Sequence, residues 1–145
     1  MTPDSTTERV FLPDEAATLA FGESLGRRLP AGALVFLRGD LGAGKTTLVR
    51  GILRALGHSG SVKSPTYTLL EPYELDSIVV YHFDFYRIAD AQELEFIGID
   101  ELIEASALKL VEWPERVEER LPHPDVVVRM HVEGGGRRLE LDTLT

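Results

Sequence analysis

The sequence predicts a single-domain α/β fold, with a central mixed sheet flanked by helices and a C-terminal β-hairpin, and three observations predict it. An apolar run from Ala33 to Arg38 leads through a glycine-rich loop into apolar residues at 48, 49, 52, 53 and 56, a change from strand character to helical spacing. Strand-like and helix-like stretches alternate along the chain, as layered α/β folds require. Two pairs of β-rich runs, 67–71 with 78–84 and 126–132 with 137–142, are joined by turns that suit antiparallel hairpins, so both strand directions enter one sheet.

Taken in order, residues 1–9 are polar and are expected to be a flexible N-terminus, with one folded domain over 10–145. Val10-Phe11-Leu12 makes a short strand. Pro13-Asp14-Glu15 then opens a helix whose apolar positions are 17, 21, 25 and 29. After the strand, loop and second helix, Gly57 ends the helix and Lys63-Ser64-Pro65-Thr66 runs extended, because Pro65 pushes Ser64 out of the helical region. Asp90 followed by Glu93 is a capping-box pattern for a short helix stopped by Gly98, and a second short helix covers 100–105. Residues 107–112 form a buried strand closed by Trp113-Pro114, and residues 133–136 turn the final hairpin.

Composition narrows the function classes. The chain has 145 residues and a formal net charge of −9, with 24 acidic and 15 basic residues, so it lacks the basic balance with which proteins grip nucleic acid directly. Cysteine is absent, which excludes disulfides and thiolate metal sites. No apolar run is long enough to span a membrane and no signal-peptide pattern opens the chain, so a cytoplasmic location is expected.

The chemistry concentrates at Gly39-Asp40-Leu41-Gly42-Ala43-Gly44-Lys45-Thr46, which fills every fixed position of the phosphate-loop pattern. Glycines let the backbone approach an anion with its N–H groups turned inward, and the following helix adds its positive end. Lys45 supplies a charge to the outer phosphates, and the Thr46 hydroxyl suits Mg²⁺, which favours oxygen ligands. The domain therefore reads as a P-loop nucleoside triphosphate hydrolase. Guanine recognition of the common kind needs an Asn-Lys-x-Asp element, and the sequence has no Asn, so ATP is the expected nucleotide.

A phosphate-loop Mg²⁺ calls for an acidic partner at the end of an apolar strand, and Asp84 and Glu112 both qualify. Either could hold the metal, leaving the other to orient water or the hydration shell. Thr66 is equally a nucleotide-sensing hydroxyl or the cap of a turn. Arg87 fits a structural pair with Asp84 or Glu95 better than a contact to phosphoryl oxygens. His82 shares the phase of Asp84, though a hydrogen-bonded core histidine is the commoner outcome; Trp113 reads as packing and Lys63 as a solvated lysine.

Beyond the loop, the elements Ser64-Pro65-Thr66-Tyr67-Thr68, His82-Phe83-Asp84-Phe85-Tyr86-Arg87, Glu93-Leu94-Glu95-Phe96-Ile97-Gly98 and Val111-Glu112-Trp113-Pro114, in this order, resemble the bacterial TsaE (YjeE) family of small ATPases across nearly the whole chain. The resemblance implies a part in making threonylcarbamoyladenosine, the modified base beside the anticodon of tRNAs that read codons beginning with A. It implies ATP and Mg²⁺ as ligands and a TsaD–TsaB-type protein pair as partner, with hydrolysis resetting that complex and tRNA met only indirectly. Alone, the protein would be monomeric or weakly self-associating. Carried to this sequence, Leu41, Gly42, Ala43, Gly44, Lys45, Thr46 and Thr47 would bind the phosphates, Thr46 and Glu112 would ligate Mg²⁺, and Lys45, Asp84 and Glu112 would serve hydrolysis. Asp84 would also lie beside the nucleotide, and Glu15 and Gly136 resemble positions that touch it away from its phosphates. Two other readings remain: a nucleotide-gated binding module with incidental hydrolysis, and a small-molecule kinase, for which the chain leaves little room.

Overall fold

The computed structural model describes residues 6–144. One seven-stranded sheet runs in the order β1 (Thr6–Leu12), β7 (Gly136–Thr143), β6 (Val126–Glu133), β2 (Leu34–Gly39), β5 (Leu108–Glu112), β4 (Val79–Asp84), β3 (Leu70–Glu74). Its centre, β6-β2-β5-β4, is parallel; β3, β7 and β1 join antiparallel at the flanks. The mixed sheet with a C-terminal hairpin is thus the architecture expected from the sequence.

Alternation along the central strands sorts side chains into two cores. Val35 and Leu37 of β2, with Val80, Leu108, Leu110, Val128 and Met130, meet helices α1 (Glu15–Arg28) and α2 (Lys45–Ala55) through Leu25, Leu48, Val49, Ile52 and Leu53. Leu34 and Phe36 point the other way and pack with Phe83, Phe85, Val111 and Val127 under the short helices α3 (Glu93–Ile97) and α4 (Ile99–Glu104), through Leu94 and Ile99. A strand buried on both faces reads as a continuous apolar run, which is why β2 opens Leu-Val-Phe-Leu without polar alternation.

The helix ends follow local chemistry. Asp14 caps α1 by accepting from the Ala17 N–H at 2.8 Å, and Arg27 and Arg28 lie at its negative end. Before α3, Glu93 accepts from the Asp90 N–H at 3.1 Å, one half of the capping box its spacing anticipates, while the Asp90 side chain accepts from the Gln92 N–H at 2.8 Å rather than from that of Glu93.

Two boundaries differ from expectation. Of the segment 1–9 expected to be flexible, residues 1–5 lie outside the described residues, whereas 6–9 belong to β1, paired with β7 from Thr6↔Thr143 onward. Polar cross-strand contacts, Thr7 to Asp142 at 2.8 Å and Arg9 to Glu140 at 3.1 Å, do there what apolar burial does elsewhere, so hydropathy gives no sign of it. The strand expected at 67–71 starts at Leu70 instead. Residues 66–69 turn, with the Leu69 N–H donating to the Pro65 carbonyl at 2.8 Å and Leu69 itself left-handed at φ 68°. Pro72 is tolerated within β3 because that strand is the sheet edge.

Candidate nucleotide-binding site

The parallel strands bring their C-terminal ends to one rim, and β2 feeds the phosphate loop into that rim. Gly39, Gly42 and Gly44 take φ values of 150°, 79° and 101°, and left-handed Gly44 is the cap from which α2 starts at Lys45. Any side chain at 42 or 44 would be strained there. The loop opens into a cleft of about 490 Å³, a size suited to a nucleotide. Leu41 to Thr47, Glu15, Asp84, Glu112 and Gly136, the residues that the family resemblance points to, all line this cleft.

Lys45 is buried, at 5% exposure. Its ammonium donates to the Gly39 carbonyl and lies 3.9 Å from the centre of the Trp113 ring. Burial lowers its pKa below the ordinary 10.5, and Glu112, Glu115, Asp84 and Asp40 oppose that shift. Trp113 is left-handed at φ 57°, an uncommon conformation for a bulky residue, and packs against Tyr86 at 4.9 Å between ring centres. Expected to pack, it does so and also lines the cleft beside the lysine.

Parallel pairing of β4 with β5 sets Asp84 opposite Glu112, and both are nearly inaccessible at 3%. Each is held differently. Asp84 accepts from the Ser64 hydroxyl, from the Thr66 hydroxyl at 3.3 Å, and through its other oxygen from the Tyr86 N–H at 2.9 Å. Glu112 meets Nε2 of fully buried His82 at 2.6 Å. His82 therefore faces the site and is hydrogen-bonded within the core as well.

Among the described residues no group of three or more His, Cys, Asp or Glu side chains gathers to hold an ion unaided. The Thr46 hydroxyl and the Glu112 carboxylate share the cleft and offer oxygen only. That donor set fits Mg²⁺, which commonly takes one or two protein ligands and completes its shell with phosphate oxygens and water.

Some assignments shift. Arg87 pairs with neither Asp84 nor Glu95: it is exposed and lies over the Tyr67 ring at 5.0 Å, while Glu95 is paired by Arg120. Glu15 lines the cleft with its carboxylate 2.7 Å from Arg50. At Gly136 a Cβ would stand 2.5 Å from the Leu12 carbonyl, so close packing against the end of β1 explains that glycine whatever the cleft holds. Sequence reasoning missed Arg137, whose guanidinium donates to the carbonyls of Gly42 and Ala43 at 3.0 and 3.1 Å and so ties the last strand to the phosphate loop. Only the hairpin register could have revealed it. Ser64 was also missed, although as a hydroxyl two residues from Thr66 it carried a signal.

Comparison with known proteins adds an independent line. Residues 12–139 match the family model described as "Threonylcarbamoyl adenosine biosynthesis protein TsaE". A Haemophilus influenzae protein named "tRNA threonylcarbamoyladenosine biosynthesis protein TsaE" is 44% identical over 136 residues, covering 90% of this chain and 86% of its own length. A Bacillus subtilis protein of the same name is 38% identical, covering 90% of this chain and 80% of that one. The crystal structure of YdiB from Bacillus subtilis superposes with a TM-score of 0.80 at 25% identity, over the whole of this chain and 89% of that one.

Proposed function

The chain belongs to the TsaE family, and on that premise we propose that it serves threonylcarbamoyladenosine biosynthesis in tRNA as a Mg²⁺-dependent ATPase subunit, switched by a TsaD–TsaB-type pair. The observation that carries the reading is the pairing of Asp84 with Glu112 at the rim where the phosphate loop opens, with Lys45 between loop and acids.

In this reading the N–H groups of the loop and of the first turn of α2 cradle the phosphates, and Lys45 exchanges its Gly39 carbonyl for a phosphate oxygen. Thr46 and Glu112 would hold Mg²⁺, and the chemistry the metal would supply there is neutralisation of phosphate charge. Asp84 positions the attacking water once the Ser64 and Thr66 hydroxyls release one of its oxygens. The same loop then reports occupancy, since nucleotide and Asp84 compete for the two hydroxyls. Trp113 and Tyr86 wall this end of the cleft and limit water there.

Phosphate release from ATP tests the reading, measured for the protein alone and with the protein pair. The expected result is slow turnover alone, acceleration by the pair, and a loss of about 10²–10³ in rate for Glu112→Gln or Asp84→Asn with nucleotide binding retained. Equal slow rates with and without the pair would remove partner switching. Full tRNA modification over many turnovers by both variants would reduce hydrolysis to an incidental activity.

A further inference from the structure

We propose that His82 is the positioning residue of Glu112: it fixes one carboxylate oxygen by hydrogen bonding and so presents the carboxylate to the metal in one orientation. The inference rests on the reading of Glu112 as a Mg²⁺ ligand given above.

The register of β4 on β5 places His82 opposite Leu110, one step before the pair Asp84 and Glu112. Strand alternation then puts His82 on the same face as both acids, beneath Glu112. Nε2 stands 2.6 Å from Glu112 Oε2, and the ring is wholly inaccessible. A carboxylate that binds a metal is ionised and only accepts, so the contact requires the proton on Nε2. Nδ1 is then a bare acceptor, and it is buried without a partner.

That orphan nitrogen argues against a packing role. An apolar side chain of similar volume would fill the same buried space without stranding a polar atom. What the imidazole adds is a single donor, aimed at one oxygen of Glu112. Glu112 takes no other side-chain hydrogen bond among the described residues, so without His82 its terminal torsion, which is intrinsically broad, is left to packing alone. Asp84 has no such need, because two hydroxyls and the Tyr86 N–H hold it from its own side. Partners of metal-bound carboxylates act in this way generally, and their loss weakens metal binding about 10- to 100-fold.

The test uses Mn²⁺ as the metal probe, counted by electron paramagnetic resonance on the ADP complex, with ADP affinity in chelator and thermal unfolding measured beside it. His82→Leu is expected to weaken Mn²⁺ binding about 10- to 100-fold, to leave metal-free ADP affinity within about twofold, and to leave the unfolding midpoint unchanged or higher. His82→Gln, whose amide can donate from the place of Nε2, is expected to recover most of the Mn²⁺ affinity. If His82→Leu fails to fold, His82→Asn, too short to reach the carboxylate, is expected to show the same loss. Mn²⁺ affinity within about twofold of the parent in these variants, alongside a large loss in Glu112→Gln, would overturn the positioning role and leave the ligand reading intact. No loss in Glu112→Gln either would overturn the ligand reading itself.

Discussion

Lys45 carries a conflict that belongs to a single residue. It is a buried cation whose partners are one backbone carbonyl and the face of Trp113, and burial holds its pKa below 10.5 against the pull of Glu112, Glu115, Asp84 and Asp40. The folded protein therefore gives up this proton at lower pH than the unfolded chain. Between the two pKa values the unfolded chain binds more protons, so the lysine's share of stability rises with pH across that window; below it the burial is a constant penalty. Lys45→Met is expected to raise the unfolding midpoint of the nucleotide-free protein near pH 7 by about 2–4 °C, roughly 1 kcal/mol, while abolishing nucleotide binding. The advantage should shrink as pH is raised toward 10.5, where the parent sheds the buried charge. Calorimetry of both proteins over that range checks it, and a lower midpoint for the variant would mean that the carbonyl and ring contacts outweigh burial.

At the scale of elements, the helix pair α1 and α2 decides where the phosphate loop points, because α2 starts from the loop. The two helices touch through glycines. A Cβ on Gly51 would lie 2.3 Å from the Leu19 carbonyl and 3.0 Å from Gly22 Cα, and one on Gly22 would lie 2.5 Å from the Leu48 carbonyl. All of these neighbours are backbone, so no side chain can move aside; the helices themselves must part. Gly51→Ala should gain about 1 kcal/mol of helix propensity and lose more to overpacking, itself about 1–3 kcal/mol and here at its upper end. A net fall in the unfolding midpoint is expected, with weaker nucleotide binding as α2 tilts. Gly135→Ala, with open space around it, serves as the neutral control for stability. A Gly51→Ala protein as stable as its parent would show that the helices separate freely. This seam was illegible in the sequence, because a glycine inside a helical pattern looks like a weakness until the partner helix is placed. The helices themselves were legible from caps and spacing, since those signals are local. The start of β3 was not, because the left-handed turn at Leu69 is fixed in part by the Asp84 N–H donating to its carbonyl from the neighbouring strand, which no short window of sequence contains.

For the whole molecule, the placement of the phosphate loop and the two strand-end acids at one rim could be read from the sequence because each is a local pattern at the end of an apolar strand. Arg137 and the link from His82 to Glu112 could not, since both depend on which strands become neighbours. The charge distribution lies between these cases. A net charge of −9 already disfavours direct contact with tRNA. The structure adds where the positive charge goes: Arg9, Arg28, Arg38, Arg50, Arg120, Arg129 and Arg138, seven of the twelve arginines, lie in ion pairs with carboxylates of the same chain. Exposed pairs of this kind contribute little to stability. They do neutralise the cations that would otherwise displace counterions from a phosphate backbone, and that displacement supplies nearly all non-specific affinity, with dissociation constants of about 10⁻⁴–10⁻⁶ M. The chain alone is therefore expected to bind tRNA more weakly than about 10⁻⁴ M at physiological salt, with or without ATP. Fluorescence anisotropy of labelled tRNA measures this directly. A micromolar dissociation constant that weakens steeply as salt is raised would mean that the cations outside these pairs form a basic face, and would make tRNA a direct partner.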